Sequence, residues 1–251
     1  GAKAYLDYQL RKQLDTWKNS VADQVRIDYR EVKMSLLDAV IIDNLQLTTT
    51  NFVPVQIDQV TLDQAYQFYR PNRLPQQLSI AIQGVHIPIT DTTSSAPVLI
   101  TALGYAPYYL SPSEWRALGY TDFNADLYLE TQFNQDKLHF VGTVATDIWG
   151  DLVLLVDLNK VPALEKWTTL AGQIQLATLT ISYTSKNLIN RVFTRLAQRN
   201  TMTTDKFKQT LINKIQSDLQ QVQVALEASN QASLQQFIQT PQTLTVQLQL
   251  N

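Results

Sequence analysis

Ile41-Ile42-Asp43-Asn44-Leu45-Gln46-Leu47 is the stretch on which the fold turns, because the chain writes it twice more, as Gln56-Ile57-Asp58-Gln59-Val60-Thr61-Leu62 and as Ala81-Ile82-Gln83-Gly84-Val85-His86-Ile87. In each copy apolar residues fill the second, fifth and seventh places, and short polar side chains, amides or Gly fill the gap between the second and fifth. Side chains of a strand alternate between faces, so the second place and the fifth point to opposite sides unless an extra residue intervenes. A β-bulge supplies that residue and sharpens the local twist. Bulges are therefore expected at Asp43-Asn44, Asp58-Gln59 and Gln83-Gly84. With the three copies as neighbouring strands, one concave face would carry Ile42, Leu45, Leu47, Ile57, Val60, Leu62, Ile82, Val85 and Ile87, and the sheet would coil into a trough or half-barrel.

Outward from this repeat the periodicity changes. From Ala4 to Val21, Tyr5, Leu6, Leu10, Leu14 and Trp17 recur at helical spacing, which predicts an amphipathic helix over 4–21. Residues 25–89 alternate with period two and form the bulged-strand region. Residues 104–120 form an aromatic segment holding Tyr105, Tyr108, Tyr109, Trp115 and Tyr120 between Pro107 and Pro112, with a short helix over 113–118. Further strands follow over 125–183, with an Asn134-Gln135-Asp136 hairpin turn and a phase slip between Leu176 and Leu179 that predicts another bulge. A helical region spans 187–239, and Leu244, Val246, Leu248 and Leu250 alternate with polar residues in a returning strand over 243–250. That return to the sheet predicts one α+β domain over 1–251: a strongly twisted, mostly antiparallel sheet covered by amphipathic helices.

Composition narrows the function more than any motif does. Charged residues make up 17% of the 251 and the formal net charge is −2, so no electrostatic attraction to nucleic acid is expected. Gln, Asn and Thr carry the surface polarity instead, a composition common among exported bacterial proteins. There is no cysteine, which excludes thiol nucleophiles, disulfides and zinc sites of the cysteine type. No apolar run reaches the about 18 residues that span a bilayer. The Gly1-Ala2 start points to a natural N-terminus trimmed of a signal or anchor, hence to an extracytoplasmic location, periplasmic or secreted.

No nucleophile elbow, Walker loop, dinucleotide fingerprint or His-Glu-x-x-His occurs, and the seven glycines are too few for phosphate-cradling loops. His86 and His139 both lie in alternating strand contexts and read as structural, so no metal and no cofactor is expected. Asp43 and Asp58 share a place in two copies of the phrase, where the third has Gln83; side chains of this kind suit a bulge because they bond to nearby backbone. Basic residues on the helices, Arg191, Arg195 and Arg199 among them, offer a face for anionic lipid or for a partner protein, or are simply a solvated side. The aromatic segment is either a pocket rim or a plug closing one end of the curved sheet.

Written as apolar-x-apolar-Asp-Asn-Val-x-Leu, the phrase resembles the strand repeat of AsmA-like bacterial envelope proteins, with Ile41 to Leu47 the best match to it in this chain. That resemblance implies a curved sheet with an apolar inner groove. A second set of residues, Ala102-Leu103-Gly104-Tyr105 or alternatively Ala117-Leu118-Gly119-Tyr120 before Asp126-Leu127-Tyr128-Leu129, then Leu179 to Tyr183 leading into Leu188 to Phe193, and Phe237 to Val246, is similar to uncharacterised exported proteins of Gram-negative bacteria. Neither resemblance carries a catalytic residue. The expected function is non-catalytic binding of an apolar, lipid-like ligand or of a partner protein, with Tyr105, Tyr108, Tyr109, Trp115, Tyr120, Ile42, Leu45, Ile57, Val60, Ile82 and Val85 as contact residues. Two alternatives stand beside it: a structural or secretion-linked interaction protein without small ligand, and a hydrolase of envelope material using carboxylates that sequence cannot pair.

Overall fold

The three copies of the phrase are adjacent strands. A computed structural model of the chain describes residues 2–20, 22, 24–35, 39–49, 52–64, 76–90, 110–162, 171–221 and 226–249. In it, β3 (Val40–Thr49), β4 (Phe52–Asp63) and β5 (Gln77–Pro88) run side by side and antiparallel. The ladder between β3 and β4 pairs Asp43 with Gln59 and then Leu45 with Ile57, leaving out Asn44 and Asp58; between β4 and β5, Asp58 and Gly84 are left out in the same way.

This corrects the expectation of three separate bulges. The extra residue stands at one level in all three strands, so it produces no register shift among them. The shift appears only where β5 meets β6 (Asp122–Asn134), between Ile82 and Val85. Asn44 and Gly84 take positive φ, at 49° and 63°. The parity change has its expected effect: Ile57 packs in one cluster with Val60, and Val85 with Ile82, although each pair is three residues apart. The edge shows the same break. Here β1 (Arg26–Asp28) and β2 (Glu31–Met34) both pair with β3 and are separated opposite Asn44.

From β6 the sheet continues as a meander through β7 (Lys137–Ala145), β8 (Asp151–Asn159), β9 (Gln175–Thr184) and β10 (Thr243–Gln249). The ten described strands form one open antiparallel sheet in the order β1-β3-β4-β5-β6-β7-β8-β9-β10, with β2 beside β3. The β6–β7 hairpin turns at Gln135, in the left-handed region at φ 57°. The predicted slip in β9 is present as a register shift against β8 near Ala177, which brings Leu176, Leu179 and Ile181 opposite Leu158, Val156 and Leu154.

Five described helices accompany the sheet: α1 (Ala2–Ser20), α2 (Pro112–Ala117), α3 (Leu188–Arg199), α4 (Thr204–Gln221) and α5 (Ala228–Gln239). None of them is long and apolar enough to cross a membrane. Helix α1 lays Leu10 and Leu14 against Val32, Met34, Val40, Ile42 and Leu62. Tyr29 fastens it by donating to Asp15 over 2.8 Å, and burial followed by that carboxylate pushes the phenol up to about 12. Helices α3 and α4 close a second core with Leu110, Leu196, Ala197 and Phe207, to which Trp115, Val192, Phe193 and Leu211 add. Buried Lys208 donates to the Gln239 carbonyl over 2.7 Å, placing its cation at the C-terminus of α5 as the helix dipole favours.

The closest helix-on-sheet packing is at the margins, α1 on β2 and α5 on β10. Residues Tyr105, Tyr108 and Tyr109 of the aromatic segment lie outside the described residues.

Candidate functional site

Alternation along antiparallel strands turns single apolar positions into rows that cross the sheet. One row runs Val60, Ile82, Leu127, Val144, Leu152, Tyr183, Leu244, each residue paired with the next. Its neighbour runs Leu62, Ile80, Leu129, Gly142, Leu154, Ile181, Val246. Polar side chains fill most of the other face, where Thr61, Ala81, Tyr128, Thr143, Val153, Ser182 and Thr245 form the corresponding row.

The two ends of this apolar face differ. Ile57 and Val85 are buried at 8% and 7% exposure, and Leu45, Val60 and Ile82 pack on them; Ile42 lies beneath α1. These residues form the floor and the covered margin. Beyond β6 the covering thins: no apolar side chain of β7, β8, β9 or β10 is buried. Leu152 and Ile181 are each 38% exposed, Val246 47% and Leu248 51%. Strands β7 to β10, which the candidate face read from the three phrase copies did not include, thus carry the accessible part of the apolar face. The clean alternation of β10 was a signal that could have found its part, whereas the apolar run Leu152 to Val156 in β8 and the slip in β9 hide the rest.

At one end of the strands the aromatic residues close the sheet. Trp149, in the β7–β8 turn, stands 4.8 Å from Trp115, 5.1 Å from Tyr120 and 5.6 Å from Phe123, ring centre to ring centre. Its indole N–H donates to the Asp122 carbonyl over 3.3 Å, and its own carbonyl accepts from the Tyr183 hydroxyl over 2.6 Å. Gly150 follows at φ 107°, where a Cβ would run into the Thr184 carbonyl and the Tyr183 ring. Tyr120 is 2% exposed, whereas Trp115 and Trp149 are half-buried and no residue of α2 is buried. Trp149 and Phe123 are the members of this aromatic group that sequence reasoning did not single out.

The three arginines have partners. Arg191 lies 5.0 Å over the Tyr120 ring and donates to its hydroxyl over 3.3 Å. Arg195 and Arg199 approach Glu114 to 3.4 and 3.3 Å. Burial would raise the Glu114 acid, but hydrogen bonds from Ser111 and the two guanidinium groups more than offset it, and the carboxyl is held below its ordinary range. The same glutamate completes a capping box on α2.

Histidine chemistry is limited to local pairs. His86 meets Asn124 over 2.7 Å and His139 meets Asp157 over 2.6 Å, on separate strand pairs. The Thr178 hydroxyl, then the His139 ring, hold Asp157 more acidic than usual. Thr178 donates to the carboxylate and not to the imidazole, so the ring does not activate it. Where described carboxylates depart from their ordinary acidity, namely at Asp28, Asp43, Glu114, Glu130, Asp151 and Asp157, all are more acidic, opposite to what a general acid requires. Among the described residues no cluster of three metal-ligating side chains occurs. A separate groove of about 460 Å³ lies between α4 and α5, lined by Ile212, Ile215, Leu219, Leu226, Leu234 and Ile238.

A family model described as "Uncharacterized protein" matches residues 128–250, which run from within β6 past the last described strand. The match carries no link to AsmA-like envelope proteins. No curated protein matches the chain.

Proposed function

We propose that this protein holds an elongated apolar ligand, the acyl chain of a lipid, along the apolar face of its open sheet, outside the cytoplasm and without chemistry on the ligand. One observation carries the reading: uninterrupted apolar rows cross the sheet from β4 to β10, and beyond β6 none of their side chains is buried. Soluble proteins seldom leave so continuous an apolar surface without an occupant. Seven strands at about 4.8 Å spacing make a row about 29 Å long. One acyl layer is about half of the roughly 30 Å hydrocarbon core of a bilayer, so a row is long enough to hold an acyl chain with room to spare. A hydrocarbon chain asks for no hydrogen bonds, and the one hydroxyl in the rows, that of Tyr183, is spent on the Trp149 carbonyl.

The amide-rich, weakly charged composition supports an extracytoplasmic setting. In this reading the sheet is a trough, the stacked irregularity at Asn44, Asp58 and Gly84 bends its β3–β5 end, and the Trp149 plug closes one side. An anionic headgroup would compete with Glu114 for Arg195 and Arg199.

Titration with N-phenyl-1-naphthylamine, followed by displacement with oleate, tests the proposal directly. A fluorescence rise reversed by oleate is expected, together with fatty acyl species in native mass spectra of protein from its own host. Folded protein that neither brightens the probe nor carries lipid would end this reading.

A further inference from the structure

The two edges of the sheet are guarded unequally. At one edge the strand is split into β1 and β2, carries Arg26, Asp28, Glu31 and Lys33, and is packed by α1. Short, charged, interrupted and covered strands are the usual protections against edge-to-edge pairing. At the other edge β10, Thr243-Leu244-Thr245-Val246-Gln247-Leu248-Gln249, is contacted by α5 but is neither charged nor interrupted. It contains no charge and no proline, its register with β9 has no shift, and no described strand pairs with its outer side. Hydroxyl contacts tie it to β9: Ser182 meets Thr245 over 2.9 Å and Thr184 meets Thr243 over 3.4 Å.

We propose that β10 pairs with β10 of a second copy of this chain, antiparallel about a two-fold axis through Val246. Full overlap of the seven residues occurs in this register alone. It places Val246 opposite Val246, Leu244 opposite Leu248, Thr245 opposite Gln247 and Thr243 opposite Gln249. Apolar residues meet apolar ones on one face and polar residues meet polar ones on the other. A two-fold axis perpendicular to the sheet maps each face onto itself, so the apolar faces of both copies join into one surface. The absence of charge on β10 removes the like-charge repulsion that opposes self-pairing. Two β10 strands also bury the most exposed apolar side chains of the sheet, Val246 and Leu248. The inference is independent of what the apolar face binds.

The cysteine-free sequence makes the test clean, since each engineered thiol is the only one present. Sedimentation of the intact chain should show a dimer that dissociates on dilution, because one seven-residue edge is a small interface. Val246→Lys, at an exposed site, should abolish the dimer while leaving the circular dichroism unchanged. Under mild copper-phenanthroline oxidation Val246→Cys should cross-link with itself. Thr245→Cys mixed with Gln247→Cys should cross-link more than either alone, which stacking of the apolar faces would not produce. A monomer at the highest soluble concentration, or a dimer that survives Val246→Lys and gives no Thr245–Gln247 cross-link, would overturn the proposal.

Discussion

The backbone N–H of Gly84 donates to the Asp126 carboxylate over 2.7 Å, across the one junction where the extra residue of β3, β4 and β5 becomes a register shift. A Cβ at Gly84 would overlap the Asp58 carboxyl on the other neighbouring strand, and φ there is 63°. Gly84→Ala therefore combines a left-handed backbone with a clash, and should destabilise the fold by about 1–3 kcal/mol. Chemical denaturation checks it; a change below about 0.5 kcal/mol would show that the irregularity is loosely held.

Trp149 joins the β7–β8 turn to α2 through Trp115 and to β6 through Phe123. Trp149→Ala removes the centre of this aromatic cluster and should cost about 3 kcal/mol, within the range for large core aromatics. Trp149→Phe should recover part of that loss. Oleate binding by folded Trp149→Phe at the wild-type level is the expected companion result, since Trp149 makes its ring contacts with Trp115, Tyr120 and Phe123 and lies outside the two apolar rows.

Leu152 and Ile181 stand on the accessible part of the apolar face. Replacing both by Gln should change the melting temperature little, because surface substitutions of half-exposed residues have small effects. The pair should weaken capture of N-phenyl-1-naphthylamine severalfold. Thr143→Gln on the opposite face should leave capture intact, so equal loss in both would point to a global effect and away from the face.

Glu114 makes stability pH-dependent in a predictable direction. Its folded acidity is shifted below the ordinary value of 4.5, so the unfolded chain binds the proton first on acidification. The stabilisation is fully present above about 4.5 and is lost as pH falls through the lower folded value. The difference in melting temperature between wild type and Glu114→Gln should accordingly be largest near neutral pH and shrink below pH 4.5. A difference independent of pH would mean that only the Ser111 capping geometry matters, and not the charge facing Arg195 and Arg199.

Local pattern determined a large part of this protein. The spacing of Ile42 with Leu45, Ile57 with Val60 and Ile82 with Val85 required an extra residue, and the structure has it, because side-chain parity is a property of each strand by itself. The hairpin at Gln135, the slip near Ala177 and the strand after Pro241 were legible for the same reason. Tertiary structure decided what depends on partners remote in sequence. Whether an extra residue shifts a register depends on whether the neighbouring strand carries one too, so at this level the shift fell at Gly84 against Asp126, while the shift between β3 and β4 lies elsewhere, between Leu47 and Thr49. Trp149 sits in an unremarkable turn and gains its role from Trp115, Tyr120 and Phe123. Arg195 and Arg199 read as a free basic face until Glu114, far away along the chain, came to meet them. The bare edge at β10 and the accessible apolar rows of β7 to β10 arise from which strands end up last in the sheet and where the helices pack, and alternation within a strand contains neither fact.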